Sequence, residues 1–122
     1  METKFVLNGG FNTEKVDTDS SNFYKEILKD APENAKVLLV LFAKDDTERI
    51  RLAIPKLTSA FNANKWQKNI VVEVANENDF VSQIQTADIV YFTGGVSLNL
   101  LKALKKYPNL EEALTGKTIA GE

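Results

Sequence analysis

The chain has 122 residues, 43% hydrophobic and 26% charged, with fifteen basic and seventeen acidic side chains and neither histidine nor cysteine. That length fits one domain that buries roughly two thirds of its unfolded surface, so no disulfide or metal staple is required. The net charge of −2, without a dense Lys/Arg face, excludes a basic nucleic-acid footprint, and the missing imidazole and thiol exclude a His- or Cys-based catalyst or metal centre within these residues.

The first expected strand is Lys4-Phe5-Val6-Leu7, stopped by Asn8-Gly9-Gly10 and followed by a polar loop from Phe11 to Thr18. Phe23 and Ile27, and Tyr24, Leu28 and Ala31, recur at helical spacing, with Asp19 or Ser20 as the N-cap. Lys36 to Ala43 (KVLLVLFA) is the strongest strand signal in the chain. Asp45-Asp46 follows it. Such a pair can bind Mg²⁺, but helix N-cap and first-turn charge is the expected role. Ile50, Ile54, Leu57 and Phe61 mark a second helix. Pro55 conflicts with it unless it lies near the first turn or kinks the helix. Trp66 is expected to serve packing.

Ile70 to Val74 reads as the third strand, and Phe80 and Ile84 as a short third helix. Asp88 to Phe92 is the fourth strand, stopped by Thr93-Gly94-Gly95. Leu98, Leu101, Leu104 and Tyr107 mark a fourth helix, ended by Pro108. Lys105-Lys106 complements the dipole of its last turn. Asn109 to Gly116 is a small helix with a C-terminal glycine, and Thr118-Ile119-Ala120 is the fifth strand. Gly121-Glu122 is read as the start of a turn.

Strands two and four are nearly continuous apolar runs, as in strands covered on both faces. With the alternating helices they predict a single α/β domain over residues 1–122. Its architecture is a three-layer, doubly wound parallel sheet of about five strands. The expected strand order is 3-2-1-4-5, so that Gly10 and Gly95 flank one crevice; the alternative sets strand five at the centre.

In such sheets ligands bind beyond the carboxyl ends of the strands. Glycines stand at three of those ends: Gly9-Gly10, Gly94-Gly95 and Gly121. They form either a rim of backbone N–H groups for an oxyanion or carboxylate, or turns that need positive φ. Ser97 lies in Gly95-Val96-Ser97-Leu98-Asn99, half of an elbow pattern without the final glycine. Capping the helix from Leu98 is its expected role. No P-loop and no dinucleotide fingerprint occurs.

Asp88-Ile89-Val90-Tyr91-Phe92-Thr93-Gly94-Gly95 with Ser97-Leu98-Asn99-Leu100-Leu101 resembles the core of the peptidase E (aspartyl dipeptidase) and cyanophycinase family. Asn109-Leu110, the run Gly116 to Gly121, and the opening Phe5 to Gly10 are also similar. The resemblance covers the whole chain but only about the N-terminal half of a family member. It implies a flavodoxin-like, class I glutamine-amidotransferase-like sheet and a serine peptidase acting on Asp-Xaa dipeptides, with no cofactor and no metal. Gly121 and Glu122 would be the first two elbow positions. The serine and the histidine would lie beyond this chain, which is therefore expected to be truncated and inactive alone. Family members carry Asp or Asn, then Thr, where Val96 and Ser97 stand here.

The alternative is a naturally short, non-catalytic binding or assembly module of the same fold. Neither reading calls for a membrane or nucleic-acid partner. A small peptide or carboxylate is the expected ligand of a complete protein. A homo-oligomer, a dimer, is expected, with the sheet edge nearest Thr118 to Ala120 or its flanking helices in the contact. No run approaches the ~20 apolar residues of a membrane span, and Met1-Glu2-Thr3-Lys4 is no secretory signal, so the cytoplasm is the expected compartment.

Overall fold

The computed structural model describes residues 3–7, 18–41, 47–65, 68–93, 107 and 109–121. Its elements follow in the order β1 (Lys4–Leu7), α1 (Thr18–Lys29), β2 (Asn34–Val40), α2 (Thr47–Ala63), β3 (Asn69–Val74), α3 (Phe80–Thr86), β4 (Ile89–Phe92), α4 (Leu110–Leu114) and β5 (Thr118–Gly121). All five strands pair in parallel, in the order β1-β5-β4-β2-β3. The expected three-layer α/β architecture is present.

The two faces of the sheet build separate cores. Phe23, Tyr24, Ile27 and Leu28 of α1 and Ala53, Leu57 and Phe61 of α2 pack on Val37 and Leu39 of β2, Ile89 and Tyr91 of β4, Val6 of β1 and Ala120 of β5. Its centre is aromatic. The Tyr24 ring lies 5.1 Å from Phe61 and Phe61 lies 5.5 Å from Tyr91, both edge-on, the arrangement ring quadrupoles favour. On the other face, Phe80 and Ile84 of α3 meet Leu38, Val40 and Val90, with Tyr107, Leu110, Ala113 and Leu114 packed around them. The Tyr107 ring stands 5.0 Å from Phe80, and its hydroxyl donates to the Glu77 carbonyl at 2.6 Å. β2 and β4 are buried on both faces, which is why their sequences do not alternate.

Four expectations need correction. β1 and β4 are not neighbours: β5 stands between them. The crossover from β1 to β2 passes over two strand positions, and Phe23 of α1 reaches Tyr91 of β4 at 6.1 Å on the way. Strand patterns fix which segments extend, not which of them pair. Consequently Thr118 to Ala120 are no sheet edge; the edges are β1 and β3. Pro55 is the ninth residue of α2, inside the helix rather than near its start. The apolar stripe of Ala53, Leu57 and Phe61 is buried beneath it, and Pro55 faces solvent, so burial overrides local preference. Finally, α1 begins at Thr18, so Asp19 and Ser20 lie within its first turn rather than at the cap. The expected helix around Leu98, Leu101 and Leu104, and Trp66, fall outside the described residues.

The carboxyl end of α1 is closed by a side chain from far along the sequence. Lys68 Nζ donates to the carbonyls of Leu28 and Ala31, both at 2.5 Å. A cation there satisfies carbonyls the helix leaves open and complements its dipole. Before β5, Leu114 to Lys117 forms a turn in which Lys117 N–H donates to the Leu114 carbonyl at 3.2 Å. Thr115 has φ −60 and ψ 131, and Gly116 has φ 81, the values of a type II turn with glycine in its left-handed position. Gly116 N–H donates in turn to Thr3 Oγ1 at 2.9 Å, tying this turn to the residue before β1.

Candidate functional site

The carboxyl ends of four strands form one row. Leu7 of β1 pairs with Gly121 of β5, Gly121 with Phe92 of β4, and Phe92 with Val40 of β2. The segments that carry Gly9-Gly10, Asp45-Asp46, Gly94-Gly95 and Ser97 follow three of these ends in sequence. Those residues, Val96 and Glu122 lie outside the described residues. β1 and β4, the strands that precede Gly10 and Gly95 in sequence, are not adjacent: β5 stands between them, so they lie roughly two strand spacings apart, about 9–10 Å.

The topological switch lies between β2 and β4. The crossover after β2 uses α2 on one face and moves toward β3. The crossover after β4 returns through α4 on the other face and moves toward β5. A crevice opens where neighbouring strands send their connections in opposite directions. Thr93, the last described residue after β4 and part of the run that carries the family resemblance, lies at this switch. Thr93 is 3% exposed, its N–H donates to the Val40 carbonyl at 3.1 Å, and its hydroxyl donates to the same oxygen at 3.3 Å. Buried and bonded in this way, the hydroxyl ties β4 to β2 at the crevice and is not a free nucleophile. A polar residue closing an apolar strand, the Thr of Phe92-Thr93-Gly94, was its signal.

Gly121 is the single candidate glycine among the described residues. It is the last described residue of the chain and closes β5. A Cβ built on it would meet the Phe92 carbonyl oxygen at 3.4 Å and Phe92 Cβ at 3.8 Å, which are ordinary contacts. Among the described residues, nothing around its backbone requires glycine. The positive-φ glycine in the described residues is Gly116, at the amino end of β5.

The strongest buried polar network serves the sheet rather than the crevice. Gln83 is 7% exposed; its amide donates to Glu73 Oε1 at 2.7 Å and to the Val74 carbonyl at 3.1 Å, and its carbonyl accepts from Asn76 N–H at 2.9 Å. Glu73 also pairs with Lys36. The Lys36 hydrogen bond, then that of Gln83, holds the Glu73 carboxyl below its ordinary value. Every polar atom of the Gln83 side chain is bonded, which fixes its place between β3 and α3.

Two open clefts lie elsewhere. One, of about 520 Å³, runs between α1 and the segment after α2, lined by Lys25, Lys29, Lys65 and Lys68 among others. The second, of about 400 Å³, lies between α3 and α4 beside Gln85 and Lys117. Neither includes a residue of the carboxyl row. Among the described residues no group of three or more His, Cys, Asp or Glu side chains is arranged to hold a metal, and no helix is long and apolar enough to cross a membrane.

The fold has solved counterparts. The putative peptidase E protein of Listeria monocytogenes EGD-e superposes with a TM-score of 0.69 at 19% identity, over 100% of this chain and 59% of that one. The chain has a peptidase E-like fold. A peptidase from an acI-B1 Actinobacterium superposes with a TM-score of 0.62 at 16% identity, over 96% of this chain and 52% of that one. The chain thus spans a little over half the length of these two proteins. No protein-family model matches the sequence, and a comparison with curated proteins gave no match. In the peptidase E-like fold seen here, Gly121 closes an interior strand, flanked by Leu7 and Phe92.

Proposed function

We propose that this chain is the amino-terminal scaffold of a peptidase E-like serine peptidase that hydrolyses Asp-Xaa dipeptides, and that alone it turns nothing over. The observation that carries the reading is Gly121 at the carboxyl end of an interior parallel strand, in one row with Phe92 and Leu7. A nucleophile elbow is a sharp turn placed directly after such a strand, so that the serine oxygen projects above the sheet. Gly121-Glu122 fits the first two positions of that turn.

The chemistry is acyl transfer. A serine after Glu122 attacks the peptide carbonyl and passes its proton to a histidine. The oxyanion of the tetrahedral intermediate is held by backbone N–H groups near Gly95 and the elbow. Collapse expels the amine, which takes the proton from the imidazole, and water then releases the acid. The 122 residues contain no histidine, so the base is not among them. This same absence favours the second reading, a non-catalytic binding or assembly module.

Two measurements test the proposal. The 122-residue protein is expected to leave Asp-Xaa dipeptides intact; cleavage, with an active-site serine probe attached to Ser97, would overturn the reading. The reading frame after Glu122 is expected to continue through Ser-Ala-Gly to a histidine. A stop codon there would leave the binding module.

A further inference from the structure

β3 (Asn69–Val74) is the sheet edge opposite β1. Asn69 N–H donates to the Glu33 carbonyl at 2.8 Å and Ala75 N–H to the Leu39 carbonyl at 2.9 Å, so the odd-numbered residues bond inward to β2. Successive residues of a strand aim their backbone groups to opposite sides, which turns those of Ile70, Val72 and Val74 outward. Among the described residues nothing bonds to these outward groups.

Edge strands normally carry a guard: charge, proline or a bulge. β3 has no proline, and its register with β2 runs without a break. Its one charge, Glu73, is held on the α3 face by Lys36 and Gln83. The charge just before the strand, Lys68, is engaged by carbonyls at the end of α1. The rest of the edge is β-branched and apolar. Ile70, Val72 and Val74 are only partly buried against the α1/α2 core, and Val71, on the other face, is 63% exposed.

The order of residues in β3 suits a second copy of itself. In a two-fold pairing, residue i meets j as j meets i. Centred on Glu73, an antiparallel pair of β3 strands would oppose two carboxylates. Centred on Val72, it would set each Glu73 against an apolar Val71. Centred on Val71, it joins the two bare Val71 side chains, places Ile70 opposite Val72, and sets the Asn69 amide opposite the Glu73 carboxylate. Apolar β-branched pairs and polar pairs of opposite character stabilise an antiparallel ladder, whereas like charges weaken it. In this last register the outward groups of Ile70 face those of Val72 in the second copy, so each such pair exchanges both hydrogen bonds.

We propose that β3 is the interface of a two-fold dimer, in which two sheets join edge to edge, antiparallel, about Val71. This goes beyond the peptidase reading and does not rest on it. Thr118 to Ala120 belong to an interior strand and have no free edge for such a contact. One strand pair is a small interface, below the roughly 1,200 Å² of stable complexes, so the dimer forms reversibly, with a Kd of about 10–500 µM.

The test is sedimentation of the 122-residue protein from about 5 µM to about 1 mM, with residue-level amide exchange at both ends of that range. The mass is expected to rise toward that of a dimer. Exchange at Ile70 and Val72 is expected to slow by roughly 10-fold, while Val71, already bonded to β2, stays as it was. A monomer at the upper concentration overturns the proposal, and so does protection that rises at Phe5 and Leu7 of β1 instead. Charge at the two-fold axis tests the register. Val71→Lys and Val71→Glu alter an exposed side chain, so each is expected to fold with a Tm within about 5 °C of the parent. Each alone should stay monomeric, because like charges then face each other, and an equal mixture of the two should dimerise. Variants that associate as strongly as the parent, or a mixture that stays monomeric, would remove Val71 from the axis and overturn the proposal.

Discussion

Gly121 and Phe92 share one rung of the sheet, and the Phe92 carbonyl oxygen lies 3.4 Å from where a Cβ on Gly121 would stand. An alanine there meets ordinary contacts in extended backbone. Gly121→Ala is therefore expected to change stability by less than about 1 kcal/mol, measured by urea unfolding. A loss above about 2 kcal/mol would show that the strand end itself demands glycine, and would remove the reason to regard Gly121 as a site residue.

Gly116 should behave in the opposite way. At φ 81 a Cβ is strained wherever its neighbours stand. Gly116→Ala is expected to destabilise by about 1–2 kcal/mol and Gly116→Asn by less, because asparagine tolerates the left-handed region. Equal losses for the two would contradict the turn assignment.

Phe61 is 0% exposed, with Tyr24 and Tyr91 edge-on to it. Truncation removes a ring from a packed cluster and leaves a cavity, so Phe61→Ala is expected to cost about 3–5 kcal/mol. Phe61→Leu, which refills part of the space, should cost distinctly less in the same denaturation experiment.

Pro55 interrupts α2 on its solvent side, where its ring removes the N–H that would meet the Arg51 carbonyl. Pro55→Ala is expected to stabilise the protein, by up to about 3 kcal/mol, raising Tm. A lower Tm would mean that the helix bends at Pro55 in a way the core beneath it requires.

Acid should weaken the β2–β3 pairing through one carboxylate. The native pKa of Glu73 is held below its ordinary 4.5, first by the Lys36 hydrogen bond and then by Gln83. On acidification the unfolded chain takes up its proton first. The contribution is complete above that value and fades as pH falls through the lower native one. Glu73→Gln is expected to flatten the acid limb of a Tm-versus-pH curve, and an unchanged limb would sink the assignment.

Much of the fold was legible in the chain because its strands are local statements. Lys36 to Ala43 is apolar on both faces, and the strand found there, Asn34–Val40, is buried on both. Pairing is not local. Nothing in Thr118-Ile119-Ala120 says that it will slot between β1 and β4, since that depends on which faces the crossovers take. Pro55 misled for a similar reason, as propensity is worth less than the burial of Ala53, Leu57 and Phe61. The site was legible only in outline. Gly121 lies at the carboxyl end of the sheet, while Thr93, though inside the run that resembles the family core, shows its structural role only through a bond to Val40, 53 positions away. Lys68 and Gln83 act on residues 40 and 10 positions away, contacts that no pattern within a helix or strand encodes.

Among the described residues β1 pairs with β5 alone, and that sets a timetable for synthesis. β1 can join β5 only when residues 118–121 have been made, and the Thr3–Gly116 hydrogen bond closes across 113 positions at that late moment. Throughout translation an apolar, unpaired Phe5-Val6-Leu7 waits in the open. An apolar strand whose described partner lies more than 110 residues later is the kind of transiently unpaired segment that favours aggregation before the fold closes.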